Sequence, residues 1–154
     1  MHDAFDFDEF VHSTVHRLTA YCAAVTGNAD AEDAAQEAYI RLHANLHRIP
    51  DEKRAAAFLY RTAYRVSVDI LRARKKFREP EPPRQSGGGM SERMQRALMK
   101  LTPPDRSVLY LRVVEEYGYD EIAAKFAKNE AWARKRYSLA RKRLEKFYTE
   151  DWVQ

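Results

Sequence analysis

Between Glu130 and Leu144 six cations, Arg134, Lys135, Arg136, Arg141, Lys142 and Arg143, are interleaved with Trp132, Tyr137 and Ser138. Guanidinium and ammonium groups at that density suit a polyanion whose phosphates they neutralise. On a helical repeat, Ala133, Tyr137, Ala140 and Leu144 fall on one stripe and pack inward. The opposite face then holds Ala131, Lys135, Ser138 and Lys142, flanked by Arg134 and Arg141 on one side and by Trp132, Arg136 and Arg143 on the other. Upstream, Asp120–Ala127 offers Ile122, Ala123 and Phe126 as a buried face, and the Lys128-Asn129 turn supplies Asn129 as an N-cap. Two helices meeting at a tight turn make a helix-turn-helix, whose second helix enters the major groove by its N-terminal turns. Ala131, Arg134, Lys135 and Ser138 therefore face base edges, with Trp132 at the head of the same face. Arg136, Arg141 and Lys142 hold phosphates.

Other chemistry has less to stand on. His12 and His16 lie four apart, as do His43 and His47, and four imidazoles suit zinc if their helices pack antiparallel. Both pairs flank apolar stripes, however, and ordinary surface histidines are the expected reading; no metal or other cofactor is predicted. The chain has no phosphate-cradling glycine loop, no nucleophile motif and no carboxylate pair in a pocket pattern, so no enzymatic activity is expected. Cys22 is the only cysteine, which excludes an intramolecular disulfide and a cysteine zinc finger and fits a reducing cytoplasm. No apolar run approaches the length of a membrane span, and the N-terminus MHDAFDFDEF is acidic where a secretory signal is basic. The expectation is a soluble, unexported protein without membrane insertion.

The elements that position the basic helix follow from periodicity. Phe7, Phe10, Val11, Val15, Leu18, Cys22 and Val25 mark a first helix ending near Gly27. A second begins after Asn28 or Asp30, with acids in its first turn, carries Ala35, Ala38, Tyr39, Leu42 and Leu46, and is closed by Pro50. A third runs from about Arg54 to Phe77 on Phe58, Leu59, Thr62, Ala63, Val66 and Ile70, with a basic tail. Charge divides along the chain: 1–51 carry nine acids against three arginines, whereas 52–79 carry nine Lys/Arg against three acids. One acidic surface and two basic ones follow. The segment EPEPPRQSGGGMS, 79–91, neither propagates a helix nor builds a core. As a flexible linker of up to roughly 43–47 Å it leaves the flanking domains free not to touch. Beyond it, Met94, Leu98 and Leu101 suggest a helix, and Thr102-Pro103-Pro104-Asp105 starts another over 105–115. The fold class is all-α: an N-terminal helical bundle at 1–78, the linker at 79–91, and a four-helix domain with a helix-turn-helix at 92–154.

ALMKLTPPDRSVLYLRVVEEYGYDEIAAKF and ARKRYSLARKRL, together with DAEDAAQEAYIRL and FLYRTAYRVSVDILRARKK, resemble the signatures of bacterial sigma factors of the compact extracytoplasmic-function (ECF) type. The resemblance covers nearly the whole chain. It implies a promoter-specificity subunit of RNA polymerase that binds the core enzyme and promoter DNA, directs promoter recognition and melting, and so starts transcription. An anti-sigma factor is a further candidate partner that the resemblance brings with it.

Carried over residue by residue, the resemblance places Asp33, Gln36, Glu37 and Arg41 of the second helix on the polymerase's largest subunit, where complementary charge fixes register. It places Tyr60, Arg61, Tyr64, Arg65 and Arg72 of the third helix on the melted −10 element, which needs cations for the backbone and flat rings for unstacked bases. Tyr60 and Tyr64, one turn apart, are equally suited to core or domain packing. The loop His47–Arg54 matches the family's base-capturing loop, and Asp69 matches a family position or pairs with Arg65 or Arg72. The helix-turn-helix takes the −35 element through Ala131, Trp132, Arg134, Lys135, Arg136, Ser138, Arg141 and Lys142. Ala127 and Lys128 stand where the family usually has a glycine and an aliphatic residue, and Glu130-Ala131-Trp132 replaces a small, uncharged run, putting a bulky ring toward the groove. The linker is short and glycine-rich, favouring a passive tether. A stand-alone helix-turn-helix regulator, a sigma-like protein that does not open promoters, and a protein adaptor are the alternatives.

Overall fold

The computed structural model describes residues 5–27, 29–77 and 91–153, with side chains for all of these but 77 and 151–153. Among them are seven α-helices, one 3-10 turn and no strand. Helix α1 (Phe7–Thr26) begins where the Asp6 carboxylate accepts from the Glu9 amide at 3.2 Å, with Asp8 and Glu9 in the first turn. It ends at Gly27, whose φ of 88° only glycine adopts at little cost and whose amide donates to the Ala23 carbonyl at 2.7 Å. No cation lies in its last turn, so its free carbonyls take donors from elsewhere in the chain.

One donor comes from α3 (Glu52–Phe77): Arg74 donates to the Thr26 carbonyl at 2.8 Å and to the Asp30 carboxylate at 2.5 Å. Asp30 holds the N-cap position of α2 (Ala31–Ala44) but makes no side-chain cap there, because Arg74 takes its carboxylate. Asn28, the other expected cap, lies outside the described residues. The three helices close over Leu18, Tyr21, Cys22, Leu42, Leu59 and Ala63, all fully buried. The loop expected at 47–54 is shorter in the fold. A 3-10 turn covers Leu46–Arg48, Ile49 inserts into the core, and α3 starts at Glu52 under an Asp51 cap that accepts from the Arg54 amide at 2.8 Å.

The C-terminal half has α4 (Glu92–Lys100), capped by Ser91 through the Met94 amide at 3.1 Å, and α5 (Pro103–Val113). Thr102 precedes two prolines whose missing N–H groups cost nothing in a first turn, which starts α5 two residues earlier than the expected 105. The short α6 (Tyr119–Lys125) and the long α7 (Glu130–Val153) complete it. Ala133 and Ala140 are fully shielded and Tyr137 and Leu144 partly so, as the stripe on α7 requires. The linker at 79–91 lies outside the described residues except for Ser91.

The two halves touch, where the linker left them free to stand apart. Helix α5 lies against α1 and α6 against α3, so Val108, Leu111, Ile122, Ala123 and Ala133 share one core with the N-terminal bundle. Buried Arg106 of α5 reaches across to the Val25 carbonyl at 2.7 Å while also donating to the Leu101 carbonyl of its own domain at 2.6 Å. Arg74 and Arg106 thus supply, from two domains, the positive charge and donors that the end of α1 lacks.

Candidate nucleic-acid interface

The turn between α6 and α7 builds the head of the basic helix. Phe126 ends α6, Ala127 takes a left-handed φ of 56°, and Asn129 accepts from the Trp132 amide at 2.8 Å. Trp132 does not stand bare in front of α7, as its position suggested. Its ring lies 5.1 Å from Phe126 and packs partly buried against the core, leaving Ala131, Lys135 and Ser138 as the exposed face. Arg134 is bound by Glu130 at 2.7 Å and lies over the Tyr119 ring, so the acid in the first turn masks part of its charge.

A larger change concerns Arg136. Asp105, in the first turn of α5, is fully buried and accepts from Arg136 at 3.2 Å and from Arg143 at 2.7 Å. The two arginines sit seven residues apart, two turns on one face of α7, and the carboxylate ties both to α5. Arg136, expected on a phosphate, is therefore turned back toward its own domain, because a buried carboxylate without cations is far costlier than a surface arginine without a phosphate. Lys135, Arg141 and Lys142 are exposed and make no ion pair among the described residues.

On α3 the cluster divides. Arg65 and Arg72 are exposed, and Asp69 pairs with neither among the described residues. Tyr60 is 3 % exposed. Its hydroxyl donates to Glu115 at 2.7 Å, and its ring meets Tyr21 at 5.0 Å and Tyr117 at 6.0 Å. Arg61 donates to the Ala124 carbonyl of α6 at 2.6 Å, and the Tyr64 ring lies 5.0 Å from Phe126. Burial and the neighbouring carboxylate push the Tyr60 phenol up, so it stays a neutral donor. Burial likewise raises the Glu115 carboxyl and lowers the Lys125 ammonium, which lies 3.8 Å above the Tyr117 ring and 5.2 Å from that of Tyr60.

On α2, Asp33, Gln36 and Arg41 are exposed, and Glu37 pairs with Arg41 at 2.9 Å one turn on. Beside them runs a groove of about 640 Å³ between α1 and α2, lined by Phe7, Val11, Val15, Tyr39 and Ile40 with Gln36 at its edge. Ile40 is 56 % exposed there. His43 packs edge-on against Phe7 at 4.9 Å, while His12, His16 and His47 are exposed. Cys22 is buried, its thiol pushed up to about 12 by desolvation, so it is a small core residue and not a nucleophile. No helix of the described residues is long and apolar enough to cross a membrane.

Asp105, Arg106, Glu115 and Lys125 were not singled out as site residues by the sequence. Asp105 followed two prolines as an ordinary first-turn acid, and only its distance of 31 and 38 residues from its partners gives it a role. Glu115 looked like one of several acids near Gly118.

Two family models match in order along the chain: sigma-70 region 2 over residues 10–77 and sigma-70 region 4 over 91–144. Only 1–9, 78–90 and 145–154 fall outside them. A search of the curated proteins by sequence found no match. Among solved structures the chain is similar to the sigma factor RpoE from Bartonella quintana, determined in complex with the anti-sigma factor NepR, at 19 % identity and a TM-score of 0.74. That likeness covers 94 % of this chain and 97 % of the other, and so extends over both helical domains. With an exposed basic face on α7, a second on α3 and an acidic face on α2 set on that frame, the chain belongs to the sigma-70 family and is an alternative sigma factor of the ECF type, directing transcription initiation by core RNA polymerase at promoter DNA.

Proposed function

We propose that the three surfaces divide the work of initiation. Residues 1–78 form the domain that docks on core polymerase and reads the −10 element, 79–91 tether it, and 92–154 read the −35 element. Asp33, Gln36, Glu37 and Arg41 meet the polymerase's largest subunit, and the apolar groove beside Gln36 continues that seat, with Ile40 as its exposed anchor. Arg65 and Arg72 hold the backbone of the separated strand, while Tyr60, Arg61 and Tyr64, held against α6 and the segment before it, set the bearing of α3. Lys135 and Ser138, beside Ala131 and Arg134, face base edges, while Arg141 and Lys142 hold phosphates. Trp132 supports the head of the reading helix from behind, and Arg136 orients it through Asp105. The protein works by binding and strand separation, without catalysis of its own. The similarity to a sigma factor held by an anti-sigma factor supports a masking partner of that kind for this chain.

The observation that carries this reading is the set of exposed cations on two helices in two domains that make no ion pair among the described residues, Arg65 and Arg72 on α3 and Lys135, Arg141 and Lys142 on α7. The test is promoter-dependent transcription with purified core polymerase. Gln36→Ala with Glu37→Ala is expected to lose core binding, and Lys135→Ala to keep core binding but weaken promoter selection by about 1–3 kcal/mol. Unchanged core binding by the α2 double variant would remove α2 from the docking role.

A further inference from the structure

We propose that Glu130 and Arg134, at the head of α7, together read one G·C pair of the −35 element, Arg134 as a donor fork on guanine and Glu130 as the acceptor of the cytosine amino group. The proposal rests on the reading of α7 above and adds Glu130 to it. Both side chains are exposed and lie one helical turn apart. One carboxylate oxygen, Oε2, accepts from Nε of Arg134 at 3.2 Å and from its Nη2 at 2.7 Å. This side-on bond uses one edge of the guanidinium, and Nη1 at its far end has no partner among the described residues. The far end, Nη1 with the second hydrogen of Nη2, is the fork that fits the O6 and N7 acceptors of guanine. The second carboxylate oxygen, Oε1, is open as well. In the major groove a G·C pair presents two acceptors and then the N4 donor of cytosine. The fork and the free oxygen present two donors and then an acceptor.

The surrounding residues align this pair and clear its path. The Arg134 guanidinium lies 4.7 Å over the Tyr119 ring, and the Arg112 guanidinium lies 4.2 Å over the same ring while donating to the Tyr117 carbonyl at 3.0 Å. A ring fixed in this way restrains a long side chain that otherwise samples many rotamers, so less freedom is lost on meeting a base. Trp132 is turned back on Phe126, and Ala131 leaves only a methyl group on the exposed head, so the helix approaches the base edges closely. A purely stabilising role accounts for less of this arrangement. An exposed i, i+4 pair adds little to a folded chain, and a first-turn acid meets the helix dipole equally well without an arginine. Facing DNA, the same carboxylate meets a field of phosphates and weakens binding at every sequence unless a base donor offsets it. It also rejects the wrong pair: exchange of G·C for A·T sets Arg134 against the N6 amino group of adenine and Glu130 against the O4 acceptor of thymine.

The measurement is promoter binding by the full chain assembled with core polymerase, on a promoter library whose −35 element is randomised, with the bound fraction sequenced. Wild type is expected to select G·C at one position of the element by about 10-fold over A·T. Glu130→Ala should remove most of that discrimination while the preferences at other positions stay in place. Because a repulsion against thymine O4 is removed, Glu130→Ala should also bind the A·T promoter about 3-fold tighter than wild type does, a gain that loss of a purely structural acid does not give. Arg134→Lys keeps the charge and loses the fork, so the guanine preference should fall by about 10-fold at the same position. A uniform loss over all sequences from Glu130→Ala, as for an acid that serves only the helix dipole, overturns the proposal. So does a position-by-position preference that neither variant changes, or changes from the two variants at two separate base pairs. In each of these cases a −35 preference that Lys135→Ala weakens still supports the reading of α7. A wild type that selects no base anywhere in the element overturns that reading, and the proposal with it.

Discussion

At residue 127 the backbone adopts a φ of 56° on an alanine, in the turn on which α7 is hung. A Cβ in that region costs about 1–2 kcal/mol, and glycine there escapes the clash while losing about 0.5–1 kcal/mol to the freedom of the unfolded chain. Ala127→Gly is therefore expected to raise unfolding stability by about 0.5–1 kcal/mol in urea titration; a less stable glycine variant would mean that the turn holds no strain. Asp105 is the opposite case, a residue with no exposure that ties two arginines to α5. Asp105→Ala should cost about 2–3 kcal/mol, below the range for a fully buried pair because side chains 30 % and 47 % exposed turn back to water. The expectation for Asp105 was only a helix start, and spacing gave no hint of its partners.

Along α7 the cations now fall into separate sets. Arg136 and Arg143 face Asp105, Arg134 is shared with Glu130, and Lys135, Arg141 and Lys142 are open. Salt dependence of promoter binding by the complex with core polymerase separates these sets, since each phosphate contact contributes about 0.9 to the slope of log affinity against log salt. Lys142→Ala is expected to lower that slope by about 0.9 without loss of stability. Arg136→Ala should leave the slope nearly unchanged and cost about 1–2 kcal/mol of stability. Equal slope changes for the two variants would return Arg136 to the phosphate set. The helices themselves were legible from local signals: Gly27 closed the first, Thr102 with two prolines opened the fifth, and Asn129 capped the last. Legible too was the inward stripe of α7, because a four-three-four spacing has one helical solution. Which outward arginine meets DNA depends on an acid on another helix, beyond the reach of periodicity.

For the whole molecule the decisive feature is the contact between domains, and it carries a pH dependence of known sign. Burial raises the Glu115 carboxyl, so the packed form binds its proton more readily than the parted form. The stabilisation from this group is complete below the ordinary carboxyl value of about 4.3 and is lost as pH rises through the raised one. Lys125 runs the other way: burial lowers its ammonium, so packing gains only as pH rises through a value below about 10.4. Arg17 of α1, Tyr60 of α3, Tyr117 before α6 and Glu121 of α6 bear on the same two groups, and the phenols, pushed up by burial, stay neutral in this window. Lowering the pH from about 7 to about 5 is expected to shift the chain toward the compact form in small-angle scattering, and Glu115→Gln should remove that shift. A chain that expands over the same interval, or a Glu115→Gln variant that responds like wild type, would place the titrating group elsewhere.

By itself the sequence determined the helices, their inward faces and the order of an acidic and two basic surfaces. These follow from near neighbours on a 3.6-residue repeat, and their order along the chain carried the family resemblance that both family models bear out. Only the tertiary structure decided that Tyr60 and Arg61 bond across to the other domain, that Arg136 serves Asp105, and that Arg74 and Arg106 finish α1. Tyr60 and Glu115 are 55 residues apart and Arg106 and Val25 are 81 apart, with the linker between. A tether of that length permits domains that touch and domains that do not, and the choice falls to a small balance of buried rings against buried charges.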